Sequence, residues 1–161
     1  MKRLKIFFVA VALTLVSGGA VWGGEIASHA VTFNFQEINE IDITGSPSLT
    51  INSAVAGEQP ENAIDSSSIC AITTNGANKR ITASIDTAIP AYVTLKVNVA
   101  APSGSGTSQG DVSLTTSASD VVTGISHLAD SSLTITYKLS ATVQAGVIPT
   151  DTRTVTFTLS D

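Results

Sequence analysis

The chain has 161 residues, 43% of them hydrophobic, 13% charged and 5% aromatic, with a formal net charge of −5. Beyond the first five residues the basic side chains are scattered, which argues against nucleic acid or an anionic membrane surface as a partner. The single cysteine, Cys70, excludes an internal disulfide framework.

Residues 1–24 read as an export signal. Lys2, Arg3 and Lys5 form a positive head, and residues 6–16 form an apolar core too short to span a bilayer comfortably. Small residues follow, so cleavage after Ala20, Gly23 or Gly24 is expected. Removing the leader leaves five basic against thirteen acidic residues, a net charge of −8. No second apolar span follows, so the expected product is secreted, or displayed at the cell surface, with no membrane span.

Residues 25–40 read as an extension strand and hinge. Val31, Phe33 and Phe35 alternate with polar residues, the mark of a strand with one buried face. Glu37 and Asn39 then interrupt the apolar face before Ile41 and Ile43 resume it. A hinge near Gln36 to Glu40 would let the first strand, with Ile38, add to the sheet of a neighbouring chain. A bulge or bend within one long strand is the alternative.

Residues 41–161 read as one domain. Leu49, Ile51 and Val55 suggest a strand, as do Ile81, Ala83 and Ile85, then Val93, Leu95, Val97 and Val99. Asn75-Gly76 is expected to close a hairpin between the strands around Ile72 and Ile81. Residues 102–110 read as a flexible loop, and residues 118–122 as a helical turn. The longest alternation runs through Leu133, Ile135, Tyr137, Leu139, Ala141 and Val143, with Thr134, Thr136 and Lys138 facing outward. The final strand carries Val155, Phe157 and Leu159 and is expected to pair with that long run. About seven to nine short strands with turns between them predict an all-β fold, an immunoglobulin-like β-sandwich.

Few residues suggest chemistry. There is no H-E-x-x-H, no C-x-x-C and no acidic spacing of an EF-hand, so no catalytic residue, cofactor or metal ligand is assigned and the chain is not expected to be an enzyme. Cys70, between Ile69 and Ile72, is expected to be a small buried hydrophobe, with an interchain crosslink as the alternative.

Together, the leader, the strand at residues 30–36, the Thr/Ser-rich sandwich over residues 48–143 and the last strand at residues 153–161 resemble exported fibre subunits. Chaperone–usher pilins and TasA-type biofilm-matrix proteins are the families meant, although many pilins carry a disulfide pair that this chain lacks. The resemblance implies a homopolymer built by strand donation, a pilus or matrix filament serving adhesion or biofilm building. Its donated strand would contain Val31, Phe33, Phe35 and Ile38, and its acceptor edge Val155, Phe157 and Leu159. Extracellular surfaces or matrix are the other expected partners. The rival expectation is a monomeric secreted module binding carbohydrate or a surface ligand, for which Tyr92 is the one obvious exposed aromatic.

Overall fold

The structure, a computed structural model, describes residues 26–161. The leader expected at residues 1–24 lies outside the described residues. Residues 26–34 belong to one unit and residues 35–161 to another. Residues 26–34 are exposed and form no helix or strand.

The second unit is all-β, with nine strands: β1 (Asn39–Thr44), β2 (Ala63–Thr74), β3 (Lys79–Ile85), β4 (Val93–Val99), β5 (Thr107–Ser108), β6 (Val112–Ser113), β7 (Ser119–Ile125), β8 (Leu128–Ala141) and β9 (Val155–Ser160). They form two antiparallel sheets, ordered β1-β2-β8-β4-β6 and β5-β7-β3-β9. Three of the pairings nest about β5: β2 with β8, β3 with β7, and β4 with β6. One long antiparallel ribbon is thus rolled so that its successive rungs fall alternately in the two sheets.

The alternation read from the sequence fills the space between the sheets. Val97 and Val99 on β4, Ile81 on β3 and Leu133, Ile135 and Tyr137 on β8 are buried. Thr134, Thr136 and Lys138 take the outer face, as β-branched and long polar side chains do on a half-solvated sheet. Cys70 is fully buried on β2, and burial pushes its thiol up to about 11. It therefore behaves as the small hydrophobe expected of it.

Four expectations are corrected. Asn75-Gly76 does not close a hairpin, because β2 is already paired on one edge by β1 and on the other by β8, so β3 crosses to the second sheet. The final strand does not pair with the long run for the same reason: β8 lies between β2 and β4, and β9 takes the free side of β3 instead. Residues 118–122 do not form a helical turn. They enter β7, where a bulge opposite Ile81 lets the consecutive Val121 and Val122 both reach zero exposure. Leu49 to Val55 forms no strand. Its backbone is held at single points, by Ser48 N–H donating to Asp65 (3.1 Å) and by a bridge between Ala54 and Pro60, while Leu49 and Ile51 are half-buried without a ladder.

β1 must end at Gly45. Its φ is +111°, and a Cβ there would lie 2.7 Å from the Ser68 backbone.

Ile135→Ala is expected to lower the unfolding free energy by about 2–5 kcal/mol, because it opens a cavity between two well-packed sheets. Thr134→Ala, one residue away on the outer face, is expected to change it by less than about 0.5 kcal/mol. Denaturant midpoints at unchanged m-value check both.

Candidate functional site: one open side of the sandwich

The two lateral sides of the sandwich differ. One is bounded by β5 and β6, each two residues long. The other is bounded by β1 and β9, each six residues long and lying close to one another. A long unpaired edge is a template for another strand, and very short edges are one way to prevent that.

Hydrogen-bond parity shows which residues form each open edge. Asp86 N–H donates to the Thr154 carbonyl (3.1 Å), one step beyond the β3–β9 ladder. Bonded pairs alternate in an antiparallel ladder, so Thr156 and Thr158 spend their backbone groups on β3. Val155, Phe157 and Leu159 turn theirs to the open side, while their side chains pack on the core. On β1, Asn75 N–H donates to the Ile38 carbonyl (3.2 Å), which by the same argument turns Asn39, Ile41 and Ile43 outward. The two edges are guarded differently. β1 carries Glu40 and Asp42, whereas no residue of β9 is charged. Charged side chains are a standard protection of an edge, and β9 lacks it.

Of the residues assigned to the donated strand, Val31, Phe33 and Phe35 are 71%, 90% and 74% exposed. None lies in a strand. Ile38 is placed differently. Its N–H donates to Asn75 Oδ1 (2.7 Å), and Asn75 Nδ2 donates to the Gln36 carbonyl (2.7 Å). The polar residues read as a hinge are where the chain is fastened, and Asn75, taken from sequence as a turn residue, does the fastening.

Lys79 reinforces that anchor. It opens β3, is 5% exposed, and its ammonium group pairs with Glu37 (2.5 Å) and with Asp161. The hydrogen bonds to Asp161 and Glu37 raise its pKa, and the bond from Lys79 holds the Glu37 carboxyl below the usual range. Gly76 makes room for it: a Cβ there would lie 2.4 Å from the lysine side chain. One buried cation thus joins the approach to β1 with the end of β9. Sequence alternation carries no signal for such a contact between distant residues.

At one end of the sandwich the first sheet overhangs the second. β2 and β8 are 12 and 14 residues long, against six or seven for β3, β7 and β9. The overhang bounds an open groove of about 1040 Å³ lined by Leu49, Ile51, Ile89, Leu139, Ile148 and Val155, among others. Val155 belongs both to the groove and to the open β9 edge.

Gly106-Thr107-Ser108-Gln109-Gly110 spells G-x-S-x-G, a nucleophile pattern that composition and alternation pass over. That pattern works on a sharp strand-to-helix turn with a histidine in reach. Here Ser108 lies on the two-residue β5, donates to Asn98 Oδ1 (3.3 Å) and accepts from Gly110 N–H (3.2 Å). Among the described residues no helix is long and apolar enough to cross a membrane, and no cluster of three or more His, Cys, Asp or Glu is placed to hold a metal ion.

Compared with protein-family models, curated proteins and solved structures, the chain matches none.

The Lys79 clamp has a pH signature. Because Glu37 has a depressed pKa, its contribution is present above its unfolded value of about 4.3 and is lost as pH falls through the folded value. Because Lys79 has a raised pKa, its contribution is present below about 10.4 and is lost as pH rises through the folded value. The stability difference between wild type and Lys79→Met is therefore expected to be flat from about pH 5 to 10 and to shrink on both sides. Urea unfolding at a series of pH values measures it.

Proposed function

We propose that this protein is a secreted structural subunit of an extracellular filament, pilus or surface matrix. It polymerises when Val31, Phe33 and Phe35 of one copy add as a strand to the β9 edge of the next. The observation that carries this reading is the pairing of opposites within one chain. Among the described residues, an alternating apolar segment has no ladder of its own, and a six-residue uncharged edge has no neighbour on one side. Strand addition to an open edge satisfies both, with main-chain bonds for affinity and side-chain pockets for register. Fastening by Asn75 and Lys79 fixes where the segment departs from its domain, so Ile38 marks the root of the donated strand.

Magnitudes favour main-chain pairing as the deciding contribution. Burying three apolar anchors gives about 5–9 kcal/mol, similar to the roughly 4–15 kcal/mol cost of association. The outward groups of Val155, Phe157 and Leu159 add about 0.5–1.5 kcal/mol for each hydrogen bond made. We read the sandwich as jelly-roll-like rather than immunoglobulin-like. The nesting of pairs about β5 supports this, whereas an immunoglobulin sheet places several sequence-adjacent strands side by side. The chain carries no catalytic role in this account.

The end groove supports a second reading, a monomeric binding module whose apolar ligand lies along Ile51, Ile89 and Leu139. Sedimentation separates the two. Wild type is expected to form filaments visible by electron microscopy and to sediment as polymers. Phe33→Asp with Phe35→Asp, and separately Thr156→Lys with Thr158→Lys, are expected to leave the protein folded and to abolish the filaments and the sedimenting polymers. Wild-type protein that stays monomeric at high concentration would remove the filament reading and leave the binding module.

A further inference from the structure

The outer face of the β1-β2-β8-β4-β6 sheet bears an unusual charge pair. Residues 35–161 contain five basic side chains. Lys79, Arg80 and Arg153 each pair with a carboxylate. The remaining two, Lys96 and Lys138, form no ion pair among the described residues and stand directly opposite each other on β4 and β8. Like charges opposite each other weaken a sheet. Asp65 is next in register to Lys138's partner Ile64 but stands opposite the core-facing Tyr137, and on the outer face the nearest acid, Asp111, accepts instead from the Asn98 amide (3.3 Å).

The same face carries the opposite charge at its far end. Ile41 of β1 packs toward the core, so Glu40 and Asp42 point outward. In register, Lys138 lies beside Ile64 of β2 and Glu40 beside Thr73, nine residues further along the same strand. At about 3.4 Å per residue the two charged ends are roughly 30 Å apart. β2 turns two isoleucines outward, Ile64 at the lysine end and Ile69 between the two ends. Ile64 is 63% exposed, and Ile69, opposite Thr134, is half-buried. Apolar residues flanked by charges of opposite sign at the two ends have the make-up of an interface.

We infer that this face binds a second copy of the same chain, related by a two-fold axis that lies between the two facing sheets, parallel to them and perpendicular to the line from the lysine end to the acidic end. Such an axis sets the Lys96–Lys138 end of each copy over the Glu40–Asp42 end of the other, so every charge contact is made twice. The Ile69 side chains of the two copies meet near the axis. A polyanion is the weaker occupant. A polyanion would meet the lysines at one end of the face but the carboxylates of Glu40 and Asp42 at the other, whereas a second copy brings carboxylates and lysines at the matching spacing. This contact is independent of strand donation. It joins copies through a sheet face, where strand donation joins them through the β9 edge.

Zero-length carbodiimide crosslinking of the full chain, with isotope-light and isotope-heavy copies mixed, tests it. The expected products are hybrid peptides joining Lys96 or Lys138 of one copy to Glu40 or Asp42 of another. The intramolecular equivalent is out of reach at roughly 30 Å. F33D/F35D, which removes strand donation, is expected to leave the hybrid peptides in place, so the two proposals fail separately. In the F33D/F35D background, which is expected to sediment as a face-to-face dimer, K96E/K138E is expected to give monomer and adding E40K/D42K to restore the dimer. Wild-type protein yielding no hybrid peptides, or the F33D/F35D/K96E/K138E protein still sedimenting as a dimer, would overturn the inference. So would protection of Lys96 and Lys138 from acetylation by added polyglutamate in the absence of hybrid peptides, which assigns the face to an acidic partner.

Discussion

Both edges of β8 are occupied, by β2 on one side and β4 on the other, and the rest of the structure follows from that constraint. A strand has two edges, and once both ladders are made no further strand can join. β2 is closed in the same way, by β1 and β8. The chain leaving β2 at Thr74 must therefore cross to the second sheet, and so must the chain leaving β8 at Ala141. β9 takes the free side of β3 and ends that sheet as its edge, because neither β2 nor β8 has a side left for it.

That edge gives the molecule its asymmetry. Two-residue strands finish one side, and six-residue strands bound the other. On the open side the chain treats its two edges differently, with carboxylates on β1 and threonines on β9. Lys79 lies between them, a buried cation satisfied by acids from both directions. A buried charge of this kind is tolerable only while its partners stay in place, so the clamp ties the position of the β1 approach to the end of β9. An exposed apolar segment lies just before that fastened point in the sequence. Strand donation connects the two features without any further element.

The periodicity of two along β3, β4 and β8 was legible in the sequence, as was the burial of Leu133, Ile135 and Tyr137, because a one-residue change of register would reverse every side chain. Which strand pairs with which was not legible. Alternation records that a face is buried and carries no information about which edge lies alongside, so Asn75-Gly76 resembled a hairpin turn while serving as a crossing between sheets. Val121 and Val122 fit neither period, since only a bulge buries two consecutive residues. Leu49 and Ile51 alternate with polar residues yet line the end groove from a loop. Of the candidate site, the apolar strand and the composition of β9 were visible in the residues. The Asn75 and Lys79 anchors were not, because their partners lie 37 to 82 residues away along the chain.

Backbone hydrogen exchange, resolved to single amides, tests the central claim most directly. Val155, Phe157 and Leu159 turn their N–H groups to the open side of β9, whereas Thr156 and Thr158 are bonded to β3. Under strand donation the first three are fast in the monomer and become slow in the assembled protein, while the two threonines are slow in both. Assemblies in which Val155, Phe157 and Leu159 still exchange as fast as in the monomer would contradict the account.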